Sequence, residues 1–190
     1  MTNIGSYKVK VRIKLAIEEI AMLSQAEKHD MPTNWSFNWL NLWKNTDFEC
    51  QNIVKLVYNN EIWGLVRYGL YPYPGIPCYL EIEQLEAHPI SRGKTAKRFI
   101  EPIGKWLIWY TVKVALKFCK TELEDPLIVL VALDTAMSYY SDKVQMEYLG
   151  TATIAPGEDG CAFRFLRNAA VTFCDQQESL RGVPKLYGQQ

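Results

Sequence analysis

Residues 79–89 read Tyr79-Leu80-Glu81-Ile82-Glu83-Gln84-Leu85-Glu86-Ala87-His88-Pro89. Cys78, Leu80 and Ile82 place apolar side chains on one parity of a β-strand, whereas Leu85 and Ala87 place them on the other. Successive strand side chains point to opposite faces, so an apolar set that changes parity mid-strand marks a change in pairing or in burial. A β-bulge at Glu83–Gln84 produces such a switch; so does a shift of burial along a regular strand. Glu81 and Glu83 share one face ahead of it.

Working upstream, the apolar runs 53–58 and 62–70 flank Asn59-Asn60, a hairpin signature. Tyr71-Pro72-Tyr73-Pro74-Gly75-Ile76-Pro77 separates that hairpin from the strand, because proline cannot donate to a ladder. Trp35, Trp39, Leu42 and Trp43 recur at i, i+4, i+7 and i+8, which predicts a helix capped by Thr33 or Asn34. Its aromatic stripe faces the core or walls a substrate pocket. Ile17, Ile20, Ala21 and Ser24 predict a further helix over 15–28, ending near Met31-Pro32. Before it, Tyr7, Val9, Val11 and Ile13 alternate with Lys8, Lys10, Arg12 and Lys14, a half-exposed strand.

Downstream, a basic loop leads to a long helix over 102–119. Residues 127–133 form an apolar run of the kind buried on both strand faces, and Asp134 caps a short helix to about 142. Runs 147–154 and 161–166 flank Pro156-Gly157-Glu158-Asp159-Gly160 as a second hairpin. Residues 168–177 are weakly helical, and the chain after Ser179 is expected to be loose. The order β-α-α-β-β-β-α-β-α-β-β predicts one mixed α/β domain, 1–178, with a tail, 179–190.

With 190 residues, 48% apolar and 22% charged, the chain suits one domain with a substantial core and excludes disorder and coiled coil. Twenty-one basic and 21 acidic residues cancel, which weighs against general nucleic-acid binding. Five widely spaced cysteines without C-x-x-C read as buried, reduced thiols of a cytoplasmic protein. The first 14 residues hold no apolar signal region, and the apolar stretch 106–118 is interrupted by Lys113 and Lys117, so no membrane span is expected. Two histidines support neither a Ser-His-Asp set nor a metal cluster.

Two stretches resemble the GCN5-related N-acetyltransferase (GNAT) superfamily. Residues 79–89 resemble its fourth strand, whose Leu-x-Val-x-Pro ending stands here as Leu85-x-Ala87-x-Pro89. Residues 130–140, Leu130-Val-Ala-Leu-Asp-Thr-Ala-Met-Ser-Tyr-Tyr140, resemble its fifth strand and following helix, with Ala-x-x-x-Tyr at Ala136 and Tyr140. Met146 stands where a Phe often follows, one residue later than usual. With the element order, the resemblance covers about residues 50–155. It implies an α/β fold with a mixed, mostly antiparallel sheet, splayed between its fourth and fifth strands and flanked by helices. It implies acetyl-CoA as cosubstrate, its pantetheine arm between those strands beside Leu85 and Ala87.

The resemblance also implies a phosphate loop opening the main helix. In one register it is 92–97, matching at Arg92 with Thr95 and Lys97 at glycine positions; in the other it is 99–104, matching only at Gly104. The second is preferred, because it leaves Pro102 in the first helical turn. Ile103, Gly104 and Lys105 then meet the pyrophosphate, with Arg92, Lys94, Lys97 and Arg98 adding positive charge. Glu81 or Glu83 is the implied general base, and Tyr140 the implied acid for the coenzyme A thiolate. Glu86 lies past the switch, His88 sits beside Pro89, and Tyr139 is the fallback acid because of the extra residue. The implied function is direct acetyl transfer to a small-molecule or protein amine, with homodimer formation left open. The alternatives are a non-catalytic acyl-CoA-binding or interaction module, and a toxin-like acetyltransferase acting on aminoacyl-tRNA, against which neutrality weighs. The acceptor pocket falls to the Trp35–Trp43 stripe and the 71–77 loop.

Overall fold

Asn59 and Asn60 both adopt positive φ, 51° and 61°, which closes the expected hairpin. The computed structural model describes residues 2–14, 16–93, 98–155 and 158–188, the side chains of Ile154 and Ala155 apart. The strands are β1 Ser6–Ile13, β2 Ile17–Gln25, β3 Gln51–Tyr58, β4 Glu61–Tyr71, β5 Tyr79–Ala87, β6 Ile100–Glu101, β7 Pro126–Leu133, β8 Glu147–Ala155, β9 Glu158–Leu166 and β10 Lys185–Tyr187. They make one sheet in the order β10-β1-β2-β3-β4-β5-β7-β9-β8, with β6 on β1. Every pairing among the described residues is antiparallel except β5 with β7.

The helices are α1 Trp39–Lys44, α2 Gly104–Phe118 and α3 Arg167–Arg181. α2 is apolar nearly all round, as a helix covered on several sides must be. Trp106, Leu107, Ile108, Tyr110, Val112 and Val114 are fully buried, and α3 packs against α2 while also touching β1, β7 and β9. The polar atoms of its aromatic residues all find partners: Trp106 Nε1 donates to Lys10 O at 2.7 Å, Trp109 Nε1 to Glu178 Oε1 at 2.8 Å, and Tyr110 Oη to Gly5 O at 2.9 Å. Truncating such a side chain, as in Trp106→Ala, costs about 3–5 kcal/mol.

Three expectations need correction. Residues 17–25 form a strand, not a helix. Ala21 and Leu23 alternate into the core opposite Val9 and Tyr7, while Ile17 and Ile20, which a helix would have buried, are 60% and 54% exposed. Sheet partners on both sides outweigh a short match to helical spacing. α1 is shorter than expected and is capped by Asn38, which accepts from Asn41 N, so neither Thr33 nor Asn34 caps it. The chain after Ser179 is not loose. α3 continues to Arg181 and β10 pairs with Ser6, Tyr7 and Lys8 of β1, supplying ladder partners that the sequence does not advertise. Of the five cysteines, four are buried as expected, whereas Cys78 is exposed.

Candidate active site

The β4–β5 register runs from Tyr71↔Tyr79 to Tyr68↔Ile82 and then slips, so that Arg67 faces Gln84 and Glu83 is the extra residue. This is a bulge, the first of the two readings that the parity switch leaves open. On its other side β5 pairs with β7 only at Leu80↔Ile128, Glu81↔Val129 and Ile82↔Leu130. Past that point the strands part. His88 N donates to Trp63 O at 2.9 Å, and amide direction alternates along a strand, so the N–H groups of Leu85 and Ala87 face away from β4, toward the gap. The Ala87 carbonyl agrees, since it accepts from Arg92 Nε at 2.6 Å.

The gap opens into a cleft of about 860 Å³ that reaches the start of α2. Leu85, Ala87, Arg92, Arg98, Ile103, Gly104 and Lys105 all line it, seven of the eight residues expected to meet a cofactor. Lys97, the eighth, lies outside the described residues, as does Lys94. Pro102 precedes the helix rather than occupying its first turn, and Ile103 takes the cap position without a side-chain cap. The first amides of α2 therefore point into the cleft with no internal acceptor, an arrangement suited to an anion. Six basic side chains, Arg12, Arg92, Arg98, Lys105, Lys143 and Arg181, line the cleft against two carboxylates, Glu101 and Asp142.

Not all of that charge is available. Arg92 is held by Glu86, by Ser36 Oγ at 2.6 Å and by the Ala87 carbonyl. Glu86, 5% exposed, also accepts from Ser36 N at 2.7 Å, Phe37 N at 3.3 Å and Trp39 Nε1 at 2.6 Å. The Arg92–Glu86 pair thus ties the segment before α1 to the end of β5. Arg98 bonds the Gly93 carbonyl at 3.0 and 2.8 Å.

Glu81 and Glu83 lie on the sheet face opposite α2. Glu83 accepts from Gln51 Nε2 at 2.6 Å and Tyr71 Oη at 2.7 Å and lies 3.0 Å from Arg67 Nη1. Glu81 makes no such contact among the described residues, and burial, then the neighbouring Glu83 charge, push its carboxyl above the usual carboxylate range. Tyr71 is pushed up to about 12 by burial and by its bond to Glu83. His88 is lowered by burial, packed between Trp35 and Trp63.

The two tyrosines separate sharply. Tyr140, 7% exposed, packs its ring on Phe163 in the core and does not line the cleft. Tyr139 does line it, and a Cβ added at Gly104 would lie 2.4 Å from the Tyr139 hydroxyl. The cause is local: residues 134–142 are not one helix but a 3₁₀ turn, Asp134–Ala136, and a π turn, Tyr139–Val144. A π turn holds one residue more than an α turn. It takes up the extra residue before Met146 and rotates Tyr139 into the cleft. Sequence reading missed Arg12, Lys143, Gln177 and Arg181 as lining residues; their sequence neighbourhood carries no signal for it.

No family model and no curated protein matches the chain. Solved structures do. An aminoglycoside acetyltransferase AAC(6')-Ib in complex with coenzyme A and kanamycin is similar at 16% identity and a TM-score of 0.54, over 79% of this chain and 96% of that one. An uncharacterised protein from Bacillus halodurans is similar at 12% identity and 0.59, over 94% and 98%. A ribosomal-protein-alanine N-acetyltransferase from Brucella melitensis is similar at 12% and 0.52, over 76% and 98%. At these identities the likeness is one of architecture, and it agrees with the bulged strand, the parted β5 and β7 and the cleft at the head of α2: the chain has the fold of the GCN5-related N-acetyltransferases.

Proposed function

We propose that the chain is an N-acyltransferase moving an acetyl group from acetyl-CoA directly to an amine. One observation carries this reading. β5 and β7 part at Ile82 and Leu130, and the cleft they open ends on an uncapped helix N-terminus among basic side chains. Such a cleft suits a ligand with a slender arm and an anionic end. Acetyl-CoA supplies the activated acyl group. The Leu85 and Ala87 amides then face the arm and bond its carbonyls, the head of α2 meets the pyrophosphate, and Gly104 leaves room for the Tyr139 ring. Glu81, half-buried and not engaged by a cation among the described residues, accepts the proton of the incoming amine, directly or through water. Tyr139 returns a proton to the departing thiolate. Glu83, held by Arg67, Tyr71 and Gln51, orients this face, and Tyr140 packs the π turn on β9.

Calorimetry with acetyl-CoA, followed by an amine panel read through thiol release, tests the proposal. Micromolar binding, about −8 kcal/mol, with thiol released for at least one amine is expected. Background heat up to millimolar ligand rejects it. Binding without turnover across small amines and peptide N-termini moves the chain to the non-catalytic acyl-CoA-binding reading.

A further inference from the structure

Beyond the head of α2 the cleft continues past Lys105 to the C-terminal end of α3, where Gln177, Leu180 and Arg181 line it together with Arg12 of β1. Gln177 is 3% exposed, yet its Nε2 has no hydrogen-bond partner among the described residues. The Arg12 Nε is likewise buried and unpartnered. Buried donors are rarely left so, and an unmade bond is costly. Charge is unbalanced in the same place. Glu101 pairs with Arg12 and lies 3.8 Å from Arg181, so two guanidinium groups share one carboxylate. Lys105 has no ion pair among the described residues. Its ammonium is lowered by burial and then by Arg181 and Lys143, which means that cations from α2, α3 and the π turn face one another.

We propose that this end of the cleft is a phosphomonoester subsite formed by Lys105, Gln177 and Arg181. It rests on the acetyl-CoA reading, in which its occupant is the ribose 3′-phosphate. A dianion offers acceptors to the Gln177 amide and the Arg181 fork, and it neutralises like charges that otherwise repel. The pyrophosphate is a different group, met by the backbone amides at Gly104. A neutral or singly charged ligand would leave this corner overcharged.

Calorimetry of coenzyme A against dephospho-coenzyme A, which lacks only the 3′-phosphate, tests the subsite in the unaltered protein. Coenzyme A is expected to bind about tenfold or more tightly, the effect of one or two charge-assisted bonds. Arg181→Gln and Gln177→Leu are each expected to narrow that ratio, mainly by weakening coenzyme A, with melting curves confirming the fold. Equal affinity for the two ligands overturns the subsite and leaves the acetyl-CoA reading standing. A ratio unchanged in both folded variants overturns the assignment to α3. Absence of binding by either ligand overturns both proposals.

Discussion

At the scale of single residues, two carboxylates two positions apart differ in what surrounds them. Glu83 is held by a guanidinium, a phenol and an amide, whereas Glu81 has burial and the Glu83 charge acting on it alone. A base must be ionised, so turnover should rise with pH through a midpoint above the ordinary carboxylate value, about 4.3. Glu81→Gln should remove that limb and lower turnover roughly 10²–10⁴-fold with acetyl-CoA affinity intact. A pH–rate profile of the variant with the limb still present excludes Glu81 as the base. The sign for stability is opposite. A carboxyl raised in the folded state contributes stability below its unfolded value and loses it as pH rises through the folded value. Glu81→Gln should therefore melt no lower than the parent at neutral pH. The tyrosines give a paired test. Burial pushes the Tyr139 hydroxyl up, and Tyr140 up to about 12, so both carry their protons at neutral pH. Only Tyr139 lines the cleft. Tyr139→Phe should lower turnover while costing about 1 kcal/mol or less of stability, and Tyr140→Phe should leave turnover near the parent value. The reverse pattern returns the acid role to Tyr140.

At the scale of elements, the head of α2 and the π turn are one device. Position 104 is the first residue of α2, where the interior preference for Ala does not apply, and a Cβ there would press on the Tyr139 hydroxyl at 2.4 Å and ring carbon at 3.2 Å. Gly104→Ala should therefore displace the Tyr139 ring and lower turnover and acetyl-CoA affinity; unchanged kinetics would mean that Tyr139 does not need this seat. Legibility also differs by element. The bulged strand was readable because a two-residue period records its own interruption: the change of side between Ile82 and Leu85 is in the sequence. α2 was readable from its length and apolar content, although its start moved two residues because Pro102 stands before it. β2 was not, since Ile17, Ile20 and Ala21 fit a helical face and its alternation emerges only beside β1 and β3. The extra residue before Met146 was visible in the sequence. That it would be absorbed as a π turn, turning Tyr139 rather than Tyr140 to the cleft, depends on packing against Phe163.

At the scale of the whole molecule, a net charge of zero conceals a polar distribution. The sequence shows 21 charges of each sign, and neutrality weighs against general nucleic-acid binding without showing how the charges are placed. Among the described residues, folding gathers six basic side chains and two carboxylates around one cleft, with Arg12 delivered by β1, Lys105 by α2 and Arg181 by α3. These residues are far apart in sequence, and β10, paired with β1 beyond α3, closes an end that local pattern left open. Composition could not show this, because the asymmetry belongs to the topology. A positive cleft in a neutral protein attracts anions only within a Debye length, about 10 Å at 0.1 M salt. Acetyl-CoA affinity should accordingly weaken by about tenfold between roughly 50 mM and 500 mM salt, while the melting temperature of the unliganded protein, balanced in charge, changes little. Arg181→Gln should flatten that dependence, because it removes a charge from the cleft, whereas Lys44→Gln, outside the cleft on α1, should leave the slope unaltered. Calorimetric titrations at four salt concentrations measure both slopes. If the parent shows no salt dependence, the basic side chains are balanced within the protein itself, and recognition would rest on the backbone amides at the head of α2 and on the walls of the parted strands.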